Sequence, residues 1–270
     1  MTLRTLVKVG LGGTFVGSAL RGVPFAEQLY KRQVLFRNHP ALFYGVYSSY
    51  EEASADIPAS LNSGWDNEES AQLWTDDIAP SRPSLYPVFF WLSILLREGS
   101  TLVDYGGSIG TTYYSYKRFL DPPAGLTWHV VEVPHIAESG RRIAEREGSP
   151  LVFSSEPGKA PPADILLAAG AIQYMKESLP RFIDSFVSPP KRVIVNKVPL
   201  TDGPGYWTLQ NFGTAVSPYQ VYNKAQFFSY FEQNGYVVKD RWEVHEMDCF
   251  IAFHPERCVR FFHGLYFEHI

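Results

Sequence analysis

From residue 100 onward, short apolar runs alternate with amphipathic stretches, and this rhythm restricts the chain to very few architectures. The apolar runs are Thr101 to Asp104, Thr127 to Glu132, Leu151 to Phe153, Asp164 to Ala169 and Arg192 to Asn196. Between them, Thr111 to Leu120, His135 to Glu147 and Leu179 to Phe186 carry helical spacing. Strands without a polar face, joined by segments long enough to cross over as helices, specify a mostly parallel sheet covered on both sides. Lys224 to Gln233 predicts one more helix, closed by Asn234-Gly235. Tyr236 to Val244 and Phe250 to Phe267 then alternate with no helix between, which predicts an antiparallel pair completing the sheet.

The first third reads differently. Phe25 to Arg37 and Leu42 to Ala53 have helical spacing, Asn62 to Asn67 is rich in turn formers, and Pro87 to Arg97 is an apolar helix stopped at Glu98-Gly99. The expectation is a helical cap over residues 23–98, followed by an α/β domain over 99–270. Arg4 and Lys8 precede an apolar run from Val9 to Leu20 that is diluted by glycines and too short to span a bilayer. Residues 1–22 are therefore expected to be a mobile segment, with weak membrane association at most and no stable insertion. The expected location is cytoplasmic, peripheral to the inner membrane where that segment engages it.

A chain of 270 residues buries about three-quarters of its unfolded surface and needs no disulfide or structural metal. Net charge is −4 with no basic run, which argues against a nucleic-acid surface. Cys249 and Cys258 form no CxxC pair, so a zinc site is not expected. Aromatic residues make up 15%, which fits either a thick core or stacking surfaces for a ligand.

The chemistry concentrates where the first parallel strand ends, at Asp104-Tyr105-Gly106-Gly107-Ser108-Ile109-Gly110. Gly106, Gly107 and Gly110 permit close backbone approach, and the following helix offers free N–H groups to an anion. Asp104 can accept from an ammonium or from the loop's own amides. Glu132, closing the second strand, is placed for a pair of ribose hydroxyls, because ligands lie across the carboxyl ends of such strands. Ser154 and Ser155 follow the third strand at the adenine end. Ala169, Gly170 and Ala171 leave room after the fourth, with Gln173 and Tyr174 facing the reactive end.

A dinucleotide fingerprint needs G-x-G-x-x-G, and Tyr105 occupies its first glycine position. The spacing Asp-x-Gly-Gly-x-x-Gly resembles motif one of the Rossmann-like S-adenosylmethionine (SAM) methyltransferases. The chain from about Gly45 to Phe267 also resembles a little-characterised family of bacterial proteins assigned as SAM-dependent methyltransferases. These often accompany genes for surface-polysaccharide assembly. The matching stretches are Gly45 to Ala53, Gly64-Trp65-Asp66-Asn67, Val103 to Gly110, Gly170 to Tyr174, Val193 to Leu200, Thr208 to Asn211, Pro218 to Tyr222 and Gly264 to Phe267. At Lys197 the chain departs from the arginine of its relatives.

The resemblance implies a Rossmann-like SAM-methyltransferase fold, SAM as cofactor, and a small-molecule or glycan acceptor. On the acceptor side, Thr208, Gln210, Asn211, Tyr219 and Tyr222 concentrate in what reads as a long loop from Pro199 to Asn223. A turn pinned by ordinary hydrogen bonds fits those residues equally well. Trp65, Tyr86 and Trp91 read either as core or as stacking surfaces in the cap. None of the seven histidines is tied by sequence to the methyl site, so no general base is assigned. Two other classes remain open at this stage: a non-catalytic relative serving as a partner in an assembly complex, and a nicotinamide-dependent sugar-modifying enzyme.

Overall fold

The computed structural model describes residues 25–36 and 42–270, so the expected mobile segment 1–22 lies outside the described residues. Helix α1 (Ala26–Phe36) leads to strand β1 (Leu42–Tyr47), and α2 (Tyr50–Ala55), α3 (Glu68–Gln72) and α4 (Tyr86–Leu95) follow. Strands and helices then alternate as β2 (Thr101–Tyr105), α5 (Thr111–Lys117), β3 (Thr127–Val131), α6 (Pro134–Glu147), β4 (Val152–Ser154), β5 (Ile165–Ala169), α7 (Leu179–Asp184) and β6 (Arg192–Val198). The chain ends through β7 (Leu200–Thr201), β8 (Tyr206–Asn211), β9 (Val216–Asn223), α8 (Lys224–Gln233), β10 (Tyr236–Val244) and β11 (Phe262–His269).

The main sheet has seven strands in the order β10-β11-β6-β5-β2-β3-β4. Strands β2 to β6 are mutually parallel, whereas β11 runs antiparallel to β6 and β10 antiparallel to β11. Side chains alternate across the central strands, as the pleat requires. In β5, Ile165 and Leu167 pack on the face covered by α4, α5 and α6, while Leu166 and Ala168 pack on the face covered by α7 and α8. Each aliphatic side chain so buried contributes about 1.5–3 kcal/mol, which is why a run with no polar face belongs here. Helix α6 is bounded by Pro134 in its first turn and by Gly148, left-handed at φ 58, after its last.

Two expectations need correction. Residues 42–53 do not form one helix: Leu42–Tyr47 is a strand, and only Tyr50–Ala55 is helical. Gly45, at φ 76, breaks any helix there, and backbone pairing of β1 with β8 outweighs the local spacing. The region 23–98 is therefore not a purely helical cap. Residues 199–223 are not a loop either. They fold into β7, β8 and β9, which join β1 in a second sheet ordered β1-β8-β9-β7. Every residue of β8 is buried, so its polar residues alternate with Trp207 and Leu209 inside the protein rather than at its surface.

Between the two sheets lies a smaller core that includes Phe43, Tyr219, Ile251 and Phe262. Phe43 meets Tyr219 edge-on, with ring centroids 5.1 Å apart. Removing that ring leaves a cavity with no partner to fill it. Phe43→Ala is expected to lower unfolding stability by about 3–5 kcal/mol in urea titrations. Phe25→Ala, at a side chain 70% exposed, is expected to change it by less than about 0.5 kcal/mol.

Candidate functional site

The carboxyl ends of β2, β3 and β5 converge on the glycine loop. Gly106 is left-handed at φ 65, and a Cβ on it would lie 2.1 Å from the Ala171 methyl, so the loops after β2 and β5 touch only because that side chain is missing. At Gly107 a Cβ would stand 2.5 Å from the Asp104 carboxyl carbon. Gly110, at φ 93, opens α5. The turn between carries Ser108, also left-handed at φ 56, a conformation that is strained in any residue bearing a Cβ.

Asp104 is completely buried. Its Oδ2 accepts the indole N–H of Trp128 at 3.1 Å, while Oδ1 has no partner among the described residues. Burial pushes its carboxyl up to about 7, against the pull of the Trp128 bond and helped by Glu132 nearby. Glu132 sits one strand over. Its Oε1 accepts the Ser108 N–H at 3.1 Å and its Oε2 the Val133 N–H at 2.8 Å. Burial raises it to about 7 as well, although both amides oppose the shift.

Among the described residues, three further buried polar atoms near these strand ends lack partners: Ser108 Oγ, Gln173 Oε1 and Trp65 Nε1. Unsatisfied buried groups each cost about 1–3 kcal/mol, so several around one set of strand ends make this place the candidate ligand site. Gln173 is held by its Nε2, which donates to Gly170 O at 2.9 Å. Trp65 stacks on Phe212 at 3.8 Å and meets Tyr174 edge-on at 5.3 Å.

The segment carrying Trp65 is fastened at both ends. Gly64 N–H donates to Val216 O of β9 at 3.0 Å, and Asp66 Oδ1 accepts the His135 backbone N–H at 3.0 Å and pairs with its Nδ1 at 2.8 Å. Asp66 thereby stands beside Glu132 and adds to the raising of its pKa. The sequence reading assigned no role to Asp66. Its signal was membership of the Gly64-Trp65-Asp66-Asn67 match, which carries no chemistry by itself.

The remaining sequence candidates divide. Tyr105 packs its ring on Phe182, with centroids 4.4 Å apart. Ser154 ends β4, where its backbone O accepts Glu132 N–H at 3.0 Å and its hydroxyl pairs with His129 Nε2 at 2.8 Å. Ser155 is exposed beside it. Ala169, Gly170 and Ala171 lie where β5 meets the glycine loop. Five of the acceptor candidates are engaged by protein groups. Tyr174 OH donates to Gln210 Oε1, Thr208 Oγ1 donates to Tyr44 O at 3.1 Å, Asn211 Nδ2 donates to Val34 O, and Tyr222 OH donates to Ile172 O at 2.6 Å. Tyr219 is fully buried with its hydroxyl unpartnered. Tyr222 also lines a separate cleft of about 680 Å³ with Trp207, Phe227 and Tyr230. Tyr86 is half exposed, while Trp91 packs on Tyr266 at 4.5 Å and donates to Asp240 Oδ2 at 2.8 Å.

No family model and no curated protein matches the chain. Among solved structures, it is similar to a SAM-dependent methyltransferase from Methanosarcina mazei, at 8% identity over 69% of this chain and 99% of that one, with a TM-score of 0.50. It is similar also to OxaC in complex with SAH and oxaline, at 12% identity over 74% of this chain and half of OxaC, again with a TM-score of 0.50. The fold is the Rossmann-like SAM-methyltransferase fold. Within it, the glycine loop, Glu132 and the β5 end occupy the carboxyl ends of the parallel strands, where open α/β sheets take ligands.

Folding raises the Asp104 carboxyl from 3.8 to about 7. The folded chain therefore holds a proton that the unfolded chain has released, and Asp104 costs stability progressively as pH rises through that window. Asp104→Asn, which removes the charge, is expected to raise the melting temperature of ligand-free protein at pH 8 and to change it little at pH 4, read by calorimetric melts.

Proposed function

We propose that the chain is an enzyme, a SAM-dependent methyltransferase acting on a small-molecule acceptor. The observation that carries this reading is the Asp104 carboxylate, wholly buried with one oxygen unpartnered beneath a glycine loop whose neighbour across β3 is Glu132. That arrangement fits a ligand with a cationic amino-acid end and a ribose. OxaC, similar in fold, holds SAH.

SAM supplies, when bound, a methyl group on a sulfonium sulfur that a nucleophile takes by in-line displacement. Asp104 and the Gly106-Gly107 backbone would hold the amino-acid end, and Glu132 the ribose hydroxyls. Gln173 Oε1 and Trp65 Nε1 offer an acceptor and a donor on the β5 side. His135, held by Asp66, and His129, held by Ser154, both lie on the Glu132 side, so neither stands at β5 and β6 to deprotonate an acceptor. The finer reading is a hydroxyl of a glycan in surface-polysaccharide assembly, in the cytoplasm or at the face of the inner membrane. It rests on the sequence resemblance. No helix among the described residues is long and apolar enough to cross a membrane.

A second reading, a SAM-binding partner protein without turnover, draws on the engagement of Thr208, Gln210, Asn211 and Tyr222 by protein groups. Methyl label leaving SAM for a small molecule in native extract decides for the enzyme. Label that stays on the bound cofactor decides for the partner.

Titration calorimetry with SAM is expected to give one site, abolished by Asp104→Ala and weakened about tenfold or more by Glu132→Ala, the loss of hydrogen bonds to a charged group. Burial has raised both carboxyls to about 7 and a cation draws them down, so binding should release protons near neutral pH and tighten between pH 6 and 8. Folded protein that gives no heat with either SAM or S-adenosylhomocysteine would overturn the proposal.

A further inference from the structure

Lys197, next to last in β6, holds a conformation that lysine rarely adopts, with φ at 61. Its stem crosses Gly170, where a Cβ would come within 3.2 Å of the lysine Cδ. The side chain is deep enough for burial to push its ammonium down to about 8, yet among the described residues that ammonium has no hydrogen bond or ion pair. Strained backbone and an unpaired, half-buried cation are both unfavourable, and they persist together only where the surroundings or a ligand require them.

A second cation stands beside it. Arg82 depresses the Lys197 ammonium further, and the contact described for its own guanidinium is the Trp74 ring, 5.9 Å away. Its position is fixed through the neighbouring backbone, since Asn196, the residue before Lys197, donates from Nδ2 to Ser84 O at 2.9 Å. The one acid that acts on Lys197, Glu246, is already committed. Its carboxylate accepts the Ser84 hydroxyl and, at 3.3 Å, the Ser84 N–H. Around Lys197, two cations stand against one carboxylate whose oxygens both already accept from Ser84, which leaves the spot short of negative charge.

Its location says whose charge is missing. Gly170 joins β5 to Ala171, which touches Gly106 of the glycine loop, so Lys197, on β6, lies two strands from β2 with β5 between, on the side away from Glu132. The ribose end is on the other side. Building on the methyltransferase reading, we propose that the methyl acceptor is anionic and binds through a carboxylate or phosphate group held by Lys197 and Arg82.

The test uses the full chain saturated with S-adenosylhomocysteine and probes it with inorganic phosphate and with succinate, each against chloride at matched ionic strength. Either anion is expected to raise the melting temperature above the chloride control. Lys197→Gln and Arg82→Gln should each weaken that response about tenfold or more, the loss of a charge-assisted bond, and Lys197→Arg should keep it. Phosphate acting alone would mark a phosphorylated acceptor, and succinate acting alone a carboxylate. Lys197→Gln without anion should melt no lower than wild type, because the half-buried, unpaired charge is gone. Should that variant fail to fold, Arg82→Gln, at an exposed side chain, carries the comparison. No response beyond chloride, or an equal response in the glutamine variants, overturns the proposal. S-adenosylhomocysteine binding is measured separately, so its absence would instead strike the methyltransferase reading itself.

Discussion

Asp104 sits at full burial with its carboxyl pressed beneath Gly107 and one oxygen on the Trp128 indole, and the geometry of the site is arranged around that group. A carboxylate in such a place is tolerated because β2 and β3 hold Trp128 in register beside it, Asp104 pairing with Val130 across the same ladder. Its second oxygen is left unpartnered, and with Ser108 Oγ, Gln173 Oε1 and Trp65 Nε1 it forms a set of buried polar atoms on the β2 and β5 ends. A core designed only for stability would pair or remove such groups. In the proposed reading, the bound cofactor or its acceptor completes them.

The second sheet gives that site its wall. β1 comes from the first fifth of the chain and pairs with β8, and β9 takes the backbone of Gly64. Trp65 is thereby stacked on Phe212 while Asp66 locks onto the start of α6 next to Glu132. The N-terminal region is thus tied to both the small sheet and the glycine-loop side of the large one. Thr208, Asn211 and Tyr222 of β8 and β9 hold this wall together by bonding to backbone carbonyls.

Much of the large sheet was legible from residues 100 to 270, because a strand buried on both faces has an apolar run that no other element tolerates at that length. The glycine loop was legible for a related reason: Gly106 and Gly107 sit where any side chain would collide with Ala171 or Asp104. β1, β8 and β9 were not. Their polar residues, Thr208, Gln210 and Asn211, read as solvent-facing, and only pairing across a distance of more than 150 residues buries them. Local spacing carries no information about such partners. The roles of Asp66 and Lys197 were hidden in the same way, since a lone charge gains meaning only from what stands beside it.

By itself, the sequence determined the parallel α/β core, its antiparallel finish and the glycine loop at the end of β2, because each is imposed by local sterics and by apolar periodicity. Only the tertiary structure decided that the apparent long loop is a buried sheet, that Trp65 and Asp66 close over the strand ends, and that Lys197 and Arg82 share a place short of negative charge. Those outcomes depend on contacts between residues far apart along the chain, where burial and unpaired charge, rather than spacing, set the energy.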